Sequence, residues 1–201
     1  MPIMDHFSLI APYYDRAIPF QNAEPLLTHV SPEPGHRLLD VGGGTGRVAQ
    51  GFVGRVAQVC VLDPSVGMLA QSRRKGICIT QGESEWLPFG AEVFDRIIVI
   101  DAFHHLLDQK AAARELMRVL ACGGRLVIEE PDIAHWGVRL VAVAEKLLLM
   151  RSHFCPPRAI QAVFQGLGAR ARVARQGHTA WVIVDKGWEM ARTIGPRGDK
   201  G

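Results

Sequence analysis

Residues 38–49 read LLDVGGGTGRVA, and no other stretch restricts the fold as much. An apolar, strand-like run enters three consecutive glycines, and a fourth follows after one threonine. Glycine accepts backbone conformations closed to other residues and lets a ligand approach the main chain. A strand that feeds a glycine turn and then a helix is a cofactor-binding turn of an open α/β sheet. In such sheets ligands collect beyond the carboxyl ends of the strands, where the strand order reverses.

The rest of the chain fits that architecture. Strand-length runs rich in Val and Ile occupy 36–41, 57–62, 77–82, 94–101 and 124–130. Several are apolar on both faces, as parallel strands covered by helices are. Helical patterns fill 45–54, 64–76 and 108–123, the last closed by Gly123-Gly124 as a C-cap. Alternation of strand and helix predicts a parallel, Rossmann-like sheet with helices on both faces. Two further strand-like runs, 169–176 and 179–187, are joined through Gly177-His178, a link short enough to require an antiparallel hairpin near the sheet edge. Residues 5–30, interrupted by Pro12, Pro19 and Pro25, and residues 132–168 are helical stretches outside this pattern. They are expected to cover the cofactor and acceptor site of a single domain, 1–201.

Composition excludes several classes. Hydrophobic residues make up 48% of the chain and charged residues 21%, a globular balance. The longest apolar candidate for a membrane span, within 138–150, is short and carries Arg139, Glu145 and Lys146. The first residues show no basic leader ahead of an apolar run, so a cytoplasmic protein is expected. A net charge of +3 falls short of a nucleic-acid footprint. Arg73-Arg74-Lys75 and Arg170, Arg172 and Arg175 read as solvated edges. Cys60, Cys78, Cys122 and Cys155 form no C-x-x-C pair, and reduced thiols are the expectation. His153-x-Cys155 and the isolated His135 have poor spacing for a metal, so none is predicted.

The acids around the glycines narrow the ligand. Asp40 lies two residues before the first glycine, where it would repel a pyrophosphate and attract an ammonium or sulfonium. Asp63 ends the second strand, where a carboxylate can accept both hydroxyls of a ribose. Together they favour a ribose-bearing cationic ligand, of which S-adenosyl-L-methionine is the obvious example. Residues 44–49 also satisfy G-x-G-x-x-A, which keeps a nicotinamide- or flavin-dependent oxidoreductase as a rival. That rival leaves Asp40 and the stretch GESEWLPF without a purpose.

With LLDVGGGTG, the stretches VLDPSVGMLAQSR, GESEWLPFGAEVFDRIIVIDAFHHLLD and ELMRVLACGGRLVIEEPD resemble the class I S-adenosylmethionine-dependent methyltransferases, over about residues 36–131. The resemblance is greatest to the ubiquinone/menaquinone-biosynthesis branch. It implies a seven-stranded sheet whose last strand is antiparallel. It implies that Asp40, Gly42 and Gly44 contact the methionine end of the cofactor and that Asp63, followed by Pro64, takes the ribose. Met68 would pack on the adenine, although its spacing equally suits the core. Glu83 and Ser84 would receive the adenine amino group and a ring nitrogen, with Glu in place of the more usual Asp. The Ile100 carbonyl would hold the cofactor ammonium, beside Asp101. Tyr14, in a segment that the family folds over the cofactor, would lie against the sulfonium.

Methyl transfer needs little from the protein beyond alignment and exclusion of water, because the donor arrives activated. A histidine near neutral pKa could remove an acceptor proton, and His104 is the candidate ahead of its neighbour His105. Apolar residues at helical spacing in 133–154, among them Trp136, Leu140 and Val143, suit a hydrophobic or aromatic acceptor. No Asn/Asp-Pro-Pro-aromatic signature follows the fourth strand, so methylation of a nucleic-acid amino group is not expected. The expected activity is therefore C- or O-methylation of a small, quinone-precursor-like acceptor. A non-catalytic cofactor-binding module of the same fold remains the second rival, and the sequence sets no oligomeric state.

Overall fold

The computed structural model describes residues 23–132 and 155–187 of the 201-residue chain. In order these form helix α1 (Ala23–Val30), strand β1 (Arg37–Val41), a 3-10 turn (Ala49–Phe52), β2 (Gln58–Asp63), α2 (Val66–Arg74) and β3 (Cys78–Gln81). There follow β4 (Phe94–Ile100), a second 3-10 turn (Phe103–His105), α3 (Gln109–Val119), β5 (Leu120–Pro131), α4 (Pro157–Gly166), β6 (Arg170–Gln176) and β7 (Thr179–Asp185). The seven strands make one sheet in the order β3-β2-β1-β4-β5-β7-β6. All pairings from β3 to β5 are parallel, and β7 runs antiparallel to both β5 and β6. The sheet therefore has the expected Rossmann-like form, with its last strand reversed.

Alternation along each strand divides the core into two layers. Leu39, Leu62, Ile97, Val99, Ile128 and Val182 face α3 and α4. Leu38, Val61, Ile98, Val127 and Trp181 face α1, α2 and the first 3-10 turn. Local signals place the helices. The Ser65 hydroxyl accepts the Met68 N–H at the start of α2, and Asp108 accepts those of Lys110 and Ala111 at the start of α3. Pro157 opens α4, at a position where its missing N–H costs nothing.

Two expected helices come out differently. Residues 45–54 form a turn and a four-residue 3-10 segment. Gly46 and Gly54 have positive φ, and i→i+3 bonds from Gly51 to Val48 and from Val53 to Gln50 tighten the chain. Helix α3 stops at Val119, with Leu120 already extended, and Gly123-Gly124 fall inside β5. There β5 is out of step with β4, because Leu120 pairs with Phe94 and Arg125 with Arg96. A Cβ on Gly124 would stand 2.8 Å from the Ala121 carbonyl oxygen, so these glycines serve an irregular strand rather than a helix cap.

Of the two segments expected to cover the site, the described parts are α1 and α4, which pack on opposite faces of the sheet through Leu26 and Val30 and through Ile160 and Phe164. Tyr14, His135, Trp136, Leu140, Val143 and His153 lie outside the described residues. Among the described residues no helix is long and apolar enough to cross a membrane.

Candidate functional site

The strand order reverses between β1 and β4, so the glycine turn after β1 and the loop after β4 meet at the switch point. Gly42, Gly44 and Gly46 all have positive φ, from 53° to 71°. Three of the four glycines are closed in by protein. A Cβ on Gly42 would stand 2.7 Å from the Ala102 Cβ, and one on Gly46 would stand 2.6 Å from the Ser72 hydroxyl. At Gly43 it would reach the Asp40 carboxyl carbon at 2.5 Å. At Gly44 it would meet only the Asp63 Oδ2 at 3.8 Å and the Met68 sulfur at 3.9 Å, ordinary contacts. Gly44 is thus where the main chain lies open to a ligand, with the predicted residues Asp63 and Met68 beside it.

The hydrogen bonds of this turn argue against a phosphate. The N–H groups of Gly42 and Gly43 donate to the Leu62 carbonyl, that of Gly46 to the Gly43 carbonyl, and that of Gly44 to Asp63 Oδ2 at 3.0 Å. The segment that follows is too short to present a helical N-terminus. The anion cradle expected of a dinucleotide turn is consumed internally.

Asp40 supplies the opposite charge logic. It is 1% exposed, and among the described residues its Oδ2 has no hydrogen-bond partner. Burial, reinforced by the neighbouring Asp63 carboxylate, raises its pKa from 3.8 to about 7, against the opposing pull of Arg47 and of the Ala49 N–H. A buried carboxylate with an orphaned oxygen is the counterpart that a cationic ligand would complete. The residues present therefore fit a cofactor carrying an ammonium and a sulfonium.

Asp63 ties two loops together. Its Oδ2 accepts the Gly44 N–H and its Oδ1 the Ser65 N–H at 2.8 Å, which fixes the carboxylate at the end of β2. The adjoining Pro64 carbonyl accepts Gln81 Nε2 at 3.2 Å, and the Gly82 N–H reaches the Asp63 carbonyl at 3.4 Å. These bonds bring the end of β3 against the β2 turn. Ser84 is buried, with its hydroxyl donating to Glu85 Oε2 at 2.8 Å, whereas Glu83 is exposed. Glu85 Oε1 also accepts the N–H groups of Leu107 and Asp108, fastening the β3–β4 loop to the start of α3. Met68 is only 3% exposed and borders Gly44. Ile100 is buried at the end of β4, and Asp101 beyond it has φ 51° with its N–H donated to the Glu129 carbonyl.

On the α3 and α4 side, His104 is buried at 4% exposure, and its Nδ1 lies 2.6 Å from Glu130 Oε2. Glu130 Oε1 accepts the N–H groups of Phe103 at 2.8 Å and His104 at 3.4 Å. Sequence reasoning missed Glu130. The signal was the acid doublet in VIEEP, since neighbours on a strand point to opposite faces. Glu129 indeed faces the other layer, where its Oε2 accepts Trp181 Nε1 at 2.9 Å. His105, ring to ring 4.0 Å from His104, has its pKa lowered from 6.5 to about 4 by burial and by His104. Among the described residues no group of His, Cys, Asp and Glu is arranged to hold a metal.

A Rossmann-like sheet with a glycine turn and a buried carboxylate at its switch point suits an S-adenosylmethionine-dependent methyltransferase, and comparison with known proteins shows that family. A family model described as a methyltransferase domain matches residues 39–128. The chain is 36% identical to the demethylmenaquinone methyltransferase of Mycobacterium marinum over 169 residues, covering 79% of this chain and 70% of that one. It is 35% identical to the ubiquinone/menaquinone biosynthesis C-methyltransferase UbiE of Cellvibrio japonicus, over 50% of this chain and 45% of that protein. The chain spans about half the length of several other curated relatives. The crystal structure of a SAM dependent methyltransferase from Aquifex aeolicus has the same fold, with a TM-score of 0.69 at 18% identity, over 87% of this chain and 97% of that one. The chain belongs to the class I S-adenosylmethionine-dependent methyltransferases, and its relatives include enzymes named for quinone biosynthesis.

Proposed function

We propose that this methyltransferase acts on a small, hydrophobic or aromatic acceptor of the quinone-precursor type, at carbon or oxygen. The observation that carries the reading is the likeness to demethylmenaquinone methyltransferase, at 36% identity over 70% of that enzyme's length. The buried His104–Glu130 pair at the mouth of β4 and β5 supports it, since a phenolic acceptor must lose a proton. Free thiols at Cys60, Cys78, Cys122 and Cys155 suit the reducing cytoplasm that belongs to this reading.

S-Adenosylmethionine, when bound, supplies a methyl group already activated by its sulfonium. In this reading Asp63 takes the ribose hydroxyls beside Pro64, and Met68 packs on the adenine. Asp40, with Gly42, Gly44 and the Ile100 carbonyl, receives the methionine end. Ser84 and the exposed Glu83 border the adenine. Tyr14 is proposed to close over the sulfonium, and His104 to accept the acceptor's proton.

Incubation of the pure protein with labelled donor and a short-chain demethylmenaquinol, alongside simple phenols and aliphatic acids, tests the reading. Label in the quinol or phenol products is expected. Transfer confined to acids or amines would refute the acceptor class, and tight donor binding with no transfer to any compound would refute catalysis.

A further inference from the structure

The turn after β4 is held by one carboxylate in an unusual way. Capping the turn requires only the two backbone contacts of Glu130 Oε1, to Phe103 and His104. The second oxygen is committed to the His104 ring at 2.6 Å, with both side chains 5% exposed. The backbone groups of Phe103 and His104 approach the Glu130 carboxyl as N–H donors. An Nδ1–H donating to Oε2 continues that pattern, and in the neutral ring it leaves the lone pair on Nε2. His105, packed on the His104 ring, is neutral because burial holds its pKa near 4. Burial and the Glu130 charge both raise the Cys155 pKa, so that thiol stays protonated; it donates to Gln109 Oε1 at 3.2 Å. Gln109 Nε2 in turn holds the Phe103 carbonyl at 3.2 Å. Among the described residues Glu130 is thus the negative charge that faces His104 from β5.

We infer that Glu130 is a positioning residue that fixes the Nδ1–H tautomer of His104, so that Nε2 takes a proton from an acceptor bearing an ionisable ring hydroxyl. This rests on the function proposed above and narrows it, because an acceptor that arrives with an open lone pair, such as an amine or a carboxylate, needs no such base. In the step, the acceptor O–H bond breaks. Its proton passes to Nε2, and its electron pair stays on the acceptor to form the new bond to the methyl carbon, from oxygen or through the ring from carbon. As that bond forms, the methyl–sulfur bond of the donor breaks, and its electron pair stays on sulfur, which departs as the neutral thioether. After attack by carbon, the ring C–H proton returns to oxygen by way of solvent, restoring the phenol. The imidazolium left on His104 is balanced by Glu130 and loses its proton to water.

The test combines nitrogen NMR of histidine-labelled protein, saturated with S-adenosylhomocysteine, with steady-state kinetics on short-chain demethylmenaquinol. Wild-type His104 is expected in the neutral Nδ1–H form, and an imidazolium would overturn the inference. Glu130→Gln, whose amide can donate to Nδ1, is expected to shift the ring toward Nε2–H. It should lower kcat at least tenfold, with KM for the donor and affinity for S-adenosylhomocysteine within twofold of wild type. Glu130→Asp is expected to restore the tautomer and part of kcat. His104→Asn keeps an N–H toward Glu130 and should lose kcat as fully as Glu130→Gln. An unchanged tautomer in Glu130→Gln would overturn the inference. So would a kcat loss matched by an equal loss of S-adenosylhomocysteine binding, or an active His104→Asn. A wild-type protein that shows the Nδ1–H signal but methylates no hydroxyl-bearing acceptor would refute the functional reading and the proton step, while leaving the tautomer assignment intact.

Discussion

Replacing Asp40 by asparagine removes a titrating group from beneath the glycine turn without changing its size, and should alter how the folded chain responds to pH. The folded pKa, about 7, lies above the unfolded value of 3.8. The folded state therefore holds the proton more tightly. Its stabilising contribution is fully present below pH 3.8 and is lost as pH rises through about 7. The whole shift corresponds to about 4 kcal/mol at roughly 1.4 kcal/mol per unit. Between about pH 6 and pH 8 the loss is on the order of 1 kcal/mol, or roughly 2–4 °C in Tm for a chain of this length. Comparing wild type with Asp40→Asn cancels the other titrating groups, including His105, whose lowered pKa acts with the opposite sign. The Tm difference between the two proteins is expected to move by that amount across the interval, in favour of the variant at high pH. A second readout uses the ligand. If the cofactor ammonium binds only the ionised carboxylate, apparent affinity scales with the ionised fraction, about one-tenth at pH 6 and nine-tenths at pH 8. Calorimetry with S-adenosylhomocysteine should then show about a tenfold rise in wild type and a flat profile in Asp40→Asn. Parallel profiles in both assays would refute the reasoning that Asp40 is a buried acid awaiting a cation.

Other substitutions probe separate parts of the structure. Asp63→Ala is expected to weaken S-adenosylhomocysteine binding at least tenfold, about 1.4 kcal/mol, and an unchanged Kd in calorimetry would defeat the ribose assignment. Gly46→Ala forces a Cβ to within 2.6 Å of the Ser72 hydroxyl at positive φ, whereas Gly54→Ala, also at positive φ, meets nothing within 4 Å. Thermal melts should therefore show Gly46→Ala less stable than Gly54→Ala by about 1–3 kcal/mol. Lys186 is buried and donates to the Met117 and Leu120 carbonyls and to Glu92. Lys186→Met should cost about 1–3 kcal/mol in urea unfolding by leaving those acceptors unpaired, and a neutral result would show that water replaces the ammonium.

The sheet was legible because its signals are local. Short apolar runs mark β1, β2 and β4, built on Leu in the first and on Val and Ile in the others, and the short link at Gly177-His178 leaves only a hairpin for β6 and β7. Helix ends were less legible, since a glycine pair caps a helix or opens a strand irregularity depending on what packs beside it. At Gly123-Gly124 the partner is β4, which is remote in sequence. The glycine turn announced a cofactor, but the missing helix after the turn goes with positive φ at Gly46 and Gly54 and with i→i+3 bonds between them, which the helical pattern of the residues does not reveal. Glu130 escaped for a related reason. Its meaning lies in a contact with His104, 26 residues away, and nothing in VIEEP says which acid faces the histidine.

The placement of β7 governs the order of assembly. This strand slides between β5 and β6, pairing with β5 over seven residues and with β6 over another seven. Until it emerges from the ribosome, the β5 edge next to the site is bare, and β6 has no neighbour to zip against. The first five strands can assemble as synthesis proceeds, but the layer that buries Trp181 against Glu129 closes only when the hairpin arrives. An unfinished chain of this protein is therefore a sticky one, and its need for protection during synthesis is concentrated on a single flank.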